Sequence, residues 1–243
     1  MEQASPAAAD LLRACAFLAP DLIPEEMLQQ GASHWGASLA KVASDAFQWN
    51  ETIRELLKYA LVRRGREQRA LSIHRIVQTL IRDAMGEQDQ RQWAERTVRA
   101  VNSVFPNVEF KAWSMCERCL PHALVCADPV EQRDLMLLEV ADLLNKAGVY
   151  LYERARYTEA RPLYECALTI REEQLGHEHS DTAGSLNNLA SLYYTQGKYD
   201  EAEPLLVRAL SIREKHLGHE HPDTAQSLLW LAYLYQHHQK DYE

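Results

Sequence analysis

The 243-residue chain has nine glycines, and none falls in a G-x-x-x-x-G-K-[ST] pattern or in a glycine-rich turn from strand to helix. A loop of backbone N–H groups that cradles phosphates is therefore missing from this sequence. Neither G-x-S-x-G nor H-E-x-x-H occurs, which removes the serine elbow and the zinc-protease helix. The many glutamates fall on solvated helical faces, so no catalytic residue is expected. No apolar run is long enough to span a bilayer, and the first residues lack a basic segment followed by an apolar core; the expectation is a cytoplasmic protein with no membrane contact. Positive charge is also short. Lys and Arg number 26 against 35 Asp and Glu, a net charge of −9 that disfavours general affinity for nucleic acid.

Cysteines are few, odd in number and scattered: Cys15, Cys116, Cys119, Cys126 and Cys166. That usage fits a reducing compartment rather than a disulfide framework. Cys116-x-x-Cys119 has the spacing of half a metal or redox site, but no second pair follows it. On a helix the same spacing puts both sulfurs on one face, and the expectation is packing.

What the sequence does have is the same text twice. IREEQLGHEHSDTAGSLNNLASLYY at 170–194 returns as IREKHLGHEHPDTAQSLLWLAYLYQ at 212–236, so Arg171 and Arg213 are 42 residues apart. GKYDEAEPLLVRALSI at 197–212 likewise has a forerunner, ARYTEARPLYECALTI, at 155–170. A period of that size means stacked supersecondary units. Within one unit Leu186, Leu189, Ala190 and Tyr193, then Ala202, Leu205, Leu206, Ala209 and Leu210, fall at three- and four-residue steps, the mark of two amphipathic helices with Gly197 between them.

The ordered set Leu186, Leu189, Ala190, Tyr193, Gly197, Tyr199, Ala202, Leu206 and Ala209 resembles the tetratricopeptide repeat, and LGHEHPDTA between units is similar to the kinesin-light-chain variety. The expected fold is mainly α. Residues 129–243 are read as two full helix pairs plus the first helix of a third, the first pair opening with a helix from about Pro129 to Arg154. The face of Leu228, Leu231, Ala232 and Tyr235 would lack a partner helix, so self-association or fraying is expected there.

Residues 1–86 read differently. Helical spacing over 7–19, a short helix opening at Ile23-Pro24-Glu25-Glu26 and a third over 47–60 precede two short strands, 61–64 and 70–73, joined by a polar turn. Helical spacing resumes over 74–85 through Ile76, Val77, Leu80, Ile81 and Ala84. This order is that of a winged helix. LVRRGREQRALSIHRIVQTLIRDAM resembles the winged-helix module that follows the nucleotide-binding core of STAND ATPases, the NB-ARC group of signalling switches. Ile73-His74-Arg75 lies where that family has Met-His-Asp, and the resemblance implies that His74 contacts the phosphate of ADP once a nucleotide-binding core is present. Arg75 stands in place of the aspartate, which withdraws that carboxylate's role. ADP or ATP is thus expected for the full-length protein and no cofactor for this chain. Residues 87–128 are read as a helical connector capping the array, with Trp93 and Trp113 as packing residues.

In the repeat family, the first helices of the pairs line a groove that holds polypeptides. The corresponding positions here are Asp142, Asn145, Val149 and Tyr152, then Gly184, Asn187, Ser191 and Tyr194, then Gln226, Leu229, Tyr233 and Gln236. Asn145 and Asn187 recur at one repeat position, and a side-chain amide both donates to and accepts from a peptide backbone. Lys and Arg are nearly missing from these positions, so the family's carboxylate clamp for acidic tails is not expected. His177-Glu178-His179 and His219-Glu220-His221 tempt a metal reading, but a motif copied once per unit is better explained as a repeated loop, and no metal is expected. The competing function is DNA binding by the winged helix through Arg63, Arg64, Arg66, Arg69, Arg75 and Arg82, although the preceding helix offers only Thr52, Arg54, Glu55 and Lys58 for base edges.

Overall fold

Ser5 starts the first helix by accepting the Ala8 N–H on its hydroxyl, and Pro6 follows where a missing N–H costs nothing. In the computed structural model, which describes residues 5–65, 69–127 and 136–240 apart from the side chains of 238–240, the chain forms two units dividing between Leu135 and Met136. The predicted start of a helix at Pro129 and the wing turn at 66–68 lie outside the described residues.

The first unit begins with α1 (Pro6–Ala16). Ile23 and Pro24 form a strand, β1 (Ile23–Pro24), where the sequence pattern predicted a helix start. Ile23 is fully buried and pairs with Leu71, while Pro24 sits on the sheet edge, where its lack of an N–H is tolerated. The predicted wing strands are β2 (Val62–Gly65) and β3 (Ala70–Ile73), and the antiparallel order is β1-β3-β2. Between β1 and β2 come α2 (Glu25–Gln30), α3 (Ala32–Trp35), α4 (Ala37–Ala43) and α5 (Ala46–Lys58). The middle two were not predicted; they are too short to display a period, yet they bury Trp35 and Leu39 completely. Asp45 caps α5 by accepting the N–H groups of Phe47 and Gln48 at 2.9 and 3.1 Å.

A buried charge ties these pieces together. The Glu25 carboxylate is fully buried and accepts Arg64 Nε and Nη2 at 2.6 and 2.7 Å and Trp49 Nε1 at 3.1 Å. Arg64 Nη1 donates to Asn50 Oδ1 at 2.7 Å. A fork of this kind holds α2, α5 and β2 in one arrangement.

α6 (Arg75–Asp83) follows the expected helical spacing but turns part of its apolar set outward: Ile76 and Leu80 are 64% and 63% exposed, Val77 and Ile81 are half-buried, and the buried side chain is Gln78. Gln78 Nε2 donates to the carbonyls of Cys15 and Leu18 at 2.9 and 2.8 Å, so a polar anchor joins half-buried Val77 and Ile81 in seating the helix on α1. α7 (Glu87–Val104) packs on α2 and α3, and α8 (Trp113–Val125) packs on α7 and β1. Trp93 is buried beneath the Arg96 guanidinium, and Trp113 meets Phe110 edge to face. Cys116 and Cys119 are fully buried; burial raises both thiols, that of Cys119 to about 12, so neither is a thiolate at neutral pH.

The second unit is a stack of helix pairs. α9 (Leu138–Glu153) packs on α10 (Tyr157–Leu175), α11 (Ser180–Thr195) on α12 (Tyr199–Leu217), and α13 (Pro222–Lys240) follows against α12. Ala183, Leu186, Ala209 and Ile212 form one apolar layer, and Ala190, Ala202, Leu206, Leu231 and Leu234 form the next. Gly148 and Tyr164 occupy the repeat positions of Ala190 and Leu206. A Cβ on Gly148 would lie 2.6 Å from the Tyr164 ring, so the first pair exchanges a small–medium contact for a smallest–largest one. At the helix-to-helix turn, Gly197 adopts φ 73° without strain while Ala155, its repeat equivalent, adopts φ 56° at a cost of about 1 kcal/mol. Of the α13 side chains expected to lack a partner, Leu231 is buried, whereas Leu228 and Tyr235 are 44% and 46% exposed.

Gly148→Ala is expected to destabilise the second unit by about 1–3 kcal/mol through overpacking, and Tyr164→Leu in the same chain to recover most of the loss; a denaturant titration of the three variants measures this. A second expectation concerns His122, which is fully buried in α8. Burial, offset slightly by the Leu22 backbone, lowers its pKa from 6.5 to about 4. The unfolded chain therefore takes up a proton that the folded chain refuses, and stability falls as pH drops from 6.5 to 4, by about 3 kcal/mol in all. His122→Leu should flatten the slope between pH 6.5 and 5, where carboxylates are still silent.

Candidate functional site

Repetition of the text reproduces a set of polar locks between successive pairs. His179 Nδ1 accepts the Asp181 N–H at 3.1 Å and His221 Nδ1 accepts the Asp223 N–H at 3.1 Å, so the second histidine of each H-E-H caps the next helix. Thr182 and Thr224 donate to the carbonyls of Gly176 and Gly218. Arg171 Nη1 donates to Asp181 O and Ser185 Oγ, and Arg213 Nη1 donates to Asp223 O and Ser227 Oγ, each at 2.7–3.1 Å. His177 and His219 instead lie 3.2 Å from Glu172 and Glu214. The motif is thus engaged in capping and in contacts to carboxylates, and among the described residues no group of three His, Cys, Asp or Glu side chains converges as metal ligands.

These locks align α9, α11 and α13, with α10 and α12 packed against them, and the expected site residues lie on that first-helix layer. The two asparagines are engaged between helices. Asn145 Oδ1 accepts from Asn188 Nδ2 at 2.8 Å, and Asn187, 2% exposed, accepts from Ser227 Oγ at 3.3 Å. Ser191 is buried and donates to Asn188 O. Val149 is half-buried, Leu229 is 50% exposed, and Tyr233 is 43% exposed.

The aromatic positions converge. Tyr152 and Tyr157 have ring centroids 5.5 Å apart, and one repeat later Tyr194 and Tyr199 reproduce this at 5.5 Å. Tyr194 also meets the edge of Trp230 at 5.5 Å and His237 at 5.9 Å, and Trp230 meets Tyr233 at 6.2 Å. Tyr152 Oη lies 2.9 Å from Thr195 Oγ1, which joins the two groups. Burial, followed by the neighbouring tyrosines, raises the Tyr194 phenol above its ordinary value, so it stays a neutral donor. Trp230 and His237 were not among the sequence candidates. Trp230 stands 42 residues after Asn188, one step round the helix from the positions chosen.

In the first unit His74 is exposed and caps α6, its Nδ1 accepting the Ile76 N–H at 3.2 Å. In the neutral ring that leaves the proton on Nε2, pointing outward as a donor. The basic cluster weighed for DNA loses Arg64 to Glu25; Arg63, Arg69 and Arg75 remain exposed, and Arg66 is outside the described residues.

Residues 1–90 match a domain of unknown function (DUF7779), and residues 139–215 and 181–243 match the tetratricopeptide repeat. The second unit of this chain is built of tetratricopeptide repeats. The chain is 32% identical over 142 residues to a nucleotide-binding leucine-rich repeat (NLR)-like protein of Hyaloscypha variabilis; the match takes in 56% of this chain and 14% of that protein's length. The crystal structure of BtubC (BKLC) from P. vanneervenii is similar in fold, with TM-score 0.50 and 18% identity over 86% of this chain and 83% of that one. No helix among the described residues is long and apolar enough to cross a membrane.

Replacing the capping histidine by alanine, His179→Ala or His221→Ala, is expected to cost about 1 kcal/mol each, with asparagine restoring most of it. Addition of zinc or a chelator should leave the Tm of the unsubstituted chain unchanged, because the described residues bring no three ligand side chains together; a zinc-dependent rise would contradict this.

Proposed function

We propose that this chain is the non-catalytic sensing part of an NLR-type, STAND-like signalling protein. Its tetratricopeptide unit holds a polypeptide along the α9, α11 and α13 layer, and residues 1–86, as a winged helix, pass the binding event to a nucleotide-binding core elsewhere in the full-length protein. The observation that carries the first half is the aromatic cluster of Tyr152, Tyr194, Trp230 and Tyr233, which spans successive repeats while staying partly open to solvent. Tyrosine and tryptophan supply rigid contact area at small entropic cost and are enriched where proteins meet. With the asparagines engaged between helices, backbone capture by stacked amides gives way to capture by rings.

The second half rests on the resemblance to the STAND winged helix and on two features of α6. His74 presents Nε2–H, the donor a phosphate oxygen needs, and Ile76 and Leu80 beside it form an exposed apolar face fit to pack against another domain. The antiparallel β1-β3-β2 sheet following α1 and preceding α6 supports the winged-helix reading. Nucleotide is expected to bind the core and not this chain.

Panning a random dodecapeptide phage library on the chain is expected to yield peptides that lose about tenfold in affinity on Tyr194→Ala or Tyr233→Ala, the usual size of an aromatic anchor. Peptides indifferent to both substitutions would place binding elsewhere. In the full-length protein His74→Ala is expected to release ADP faster than the unsubstituted form; equal nucleotide occupancy would remove the coupling role.

A further inference from the structure

Arg171 and Arg213 hold equivalent places in successive repeats, yet only one has a carboxylate hydrogen-bonded to it. Arg171 bridges three helices: from α10 it donates to Asp181 O and Ser185 Oγ of α11 through Nη1, and to Asp142 Oδ1 of α9 through Nη2 at 2.8 Å. Arg213 keeps the first two contacts on α13, to Asp223 O and Ser227 Oγ. The residue that would supply the third, 42 positions after Asp142, is Gly184. Arg213 is 95% buried, its Nε is buried with no hydrogen bond, and among the described residues no side-chain carboxylate hydrogen-bonds to its Nη2, the Asp223 carboxylate acting on it only through space. A buried guanidinium that no carboxylate hydrogen-bonds is costly to keep. Space for one exists, since a Cβ on Gly184 would touch nothing closer than Arg171 Nη1 at 3.9 Å.

We propose that the notch at Gly184 is a carboxylate subsite: an Asp or Glu side chain of a polypeptide lying across α9, α11 and α13 takes the place that Asp142 fills in the preceding repeat and pairs with Arg213. The site sits on the same helix as Tyr194, so the ligand it selects has an acidic residue on one side and a residue that packs on rings on the other. Both arginines reach this layer from the second helices of their pairs, which is why a search for Lys and Arg on the first helices misses them. This inference rests on the polypeptide-binding reading of the layer and narrows its ligand.

Two arms test it. Without any ligand, Gly184→Asp should raise Tm by about 2–4 °C over Gly184→Asn at pH 7, the shift expected of one well-formed buried contact, and the difference should vanish at pH 3. Equal Tm values for the two variants at pH 7 would overturn the proposal. With dodecapeptides selected on the unsubstituted chain, changing the acidic residue to its amide should weaken binding about tenfold, whereas amidating the C-terminus should have no effect. On Gly184→Asp the acidic and amide peptides should bind alike. Peptides that depend on Tyr194 but contain no required acid, or that require a free C-terminus, would sink the subsite and leave the polypeptide-binding face standing. Peptides indifferent to Tyr194 would sink that face itself.

Discussion

A single helix pair of the second unit cannot cover its own apolar side, and everything built on that unit follows from the need for a neighbour. Leu231 and Leu234 of α13 close the layer formed by Ala190, Ala202 and Leu206, and Leu168 of α10 packs against the layer that Ala183, Leu186, Ala209 and Ile212 form within their own pair. Apolar contact alone permits sliding. The polar locks forbid it: one arginine, one threonine and one histidine per junction each bond a backbone group of the adjoining helix or its cap. Register set this way brings Tyr152 and Tyr194 to the same place in successive pairs. That recurrence turns a packing solution into a surface.

The first unit solves its problem with buried polar groups. Glu25, with Arg64 and Trp49 as donors, joins strand and helices, and Gln78 fastens α6 through two carbonyls of the α1 region. With Gln78 and half-buried Val77 and Ile81 on its inner side, α6 leaves Ile76 and Leu80 on the surface beside His74. A helix seated in this manner gives up burial worth about 1.5–3 kcal/mol for each such side chain, which another domain can recover.

Much of this was legible in the text. The 42-residue recurrence located the pairs, and the period-two runs located β2 and β3, because in both cases a chemical pattern repeats often enough to be counted. β1 was missed since two residues show no period, and α3 and α4 since four and seven residues hardly show one. α6 was placed from its apolar spacing, of which Val77 and Ile81 turn inward while Ile76 and Leu80 do not, because Gln78 takes the buried position through hydrogen bonds that composition does not reveal. On the candidate surface Tyr152, Tyr194 and Tyr233 came from spacing, whereas Asn187 and Ser191 proved buried and Trp230 lay one step round the helix. The vacancy opposite Arg213 could be suspected only by aligning Asp142 with Gly184, and its meaning depends on the Arg171 contact that three dimensions supply.

The central claim is that the stack exists to hold a polypeptide across its first helices. Amide hydrogen exchange over 136–240, with and without a selected dodecapeptide, tests it directly. Added protection confined to α9, α11 and α13 is the result this account predicts; protection confined to α10 and α12 would contradict it.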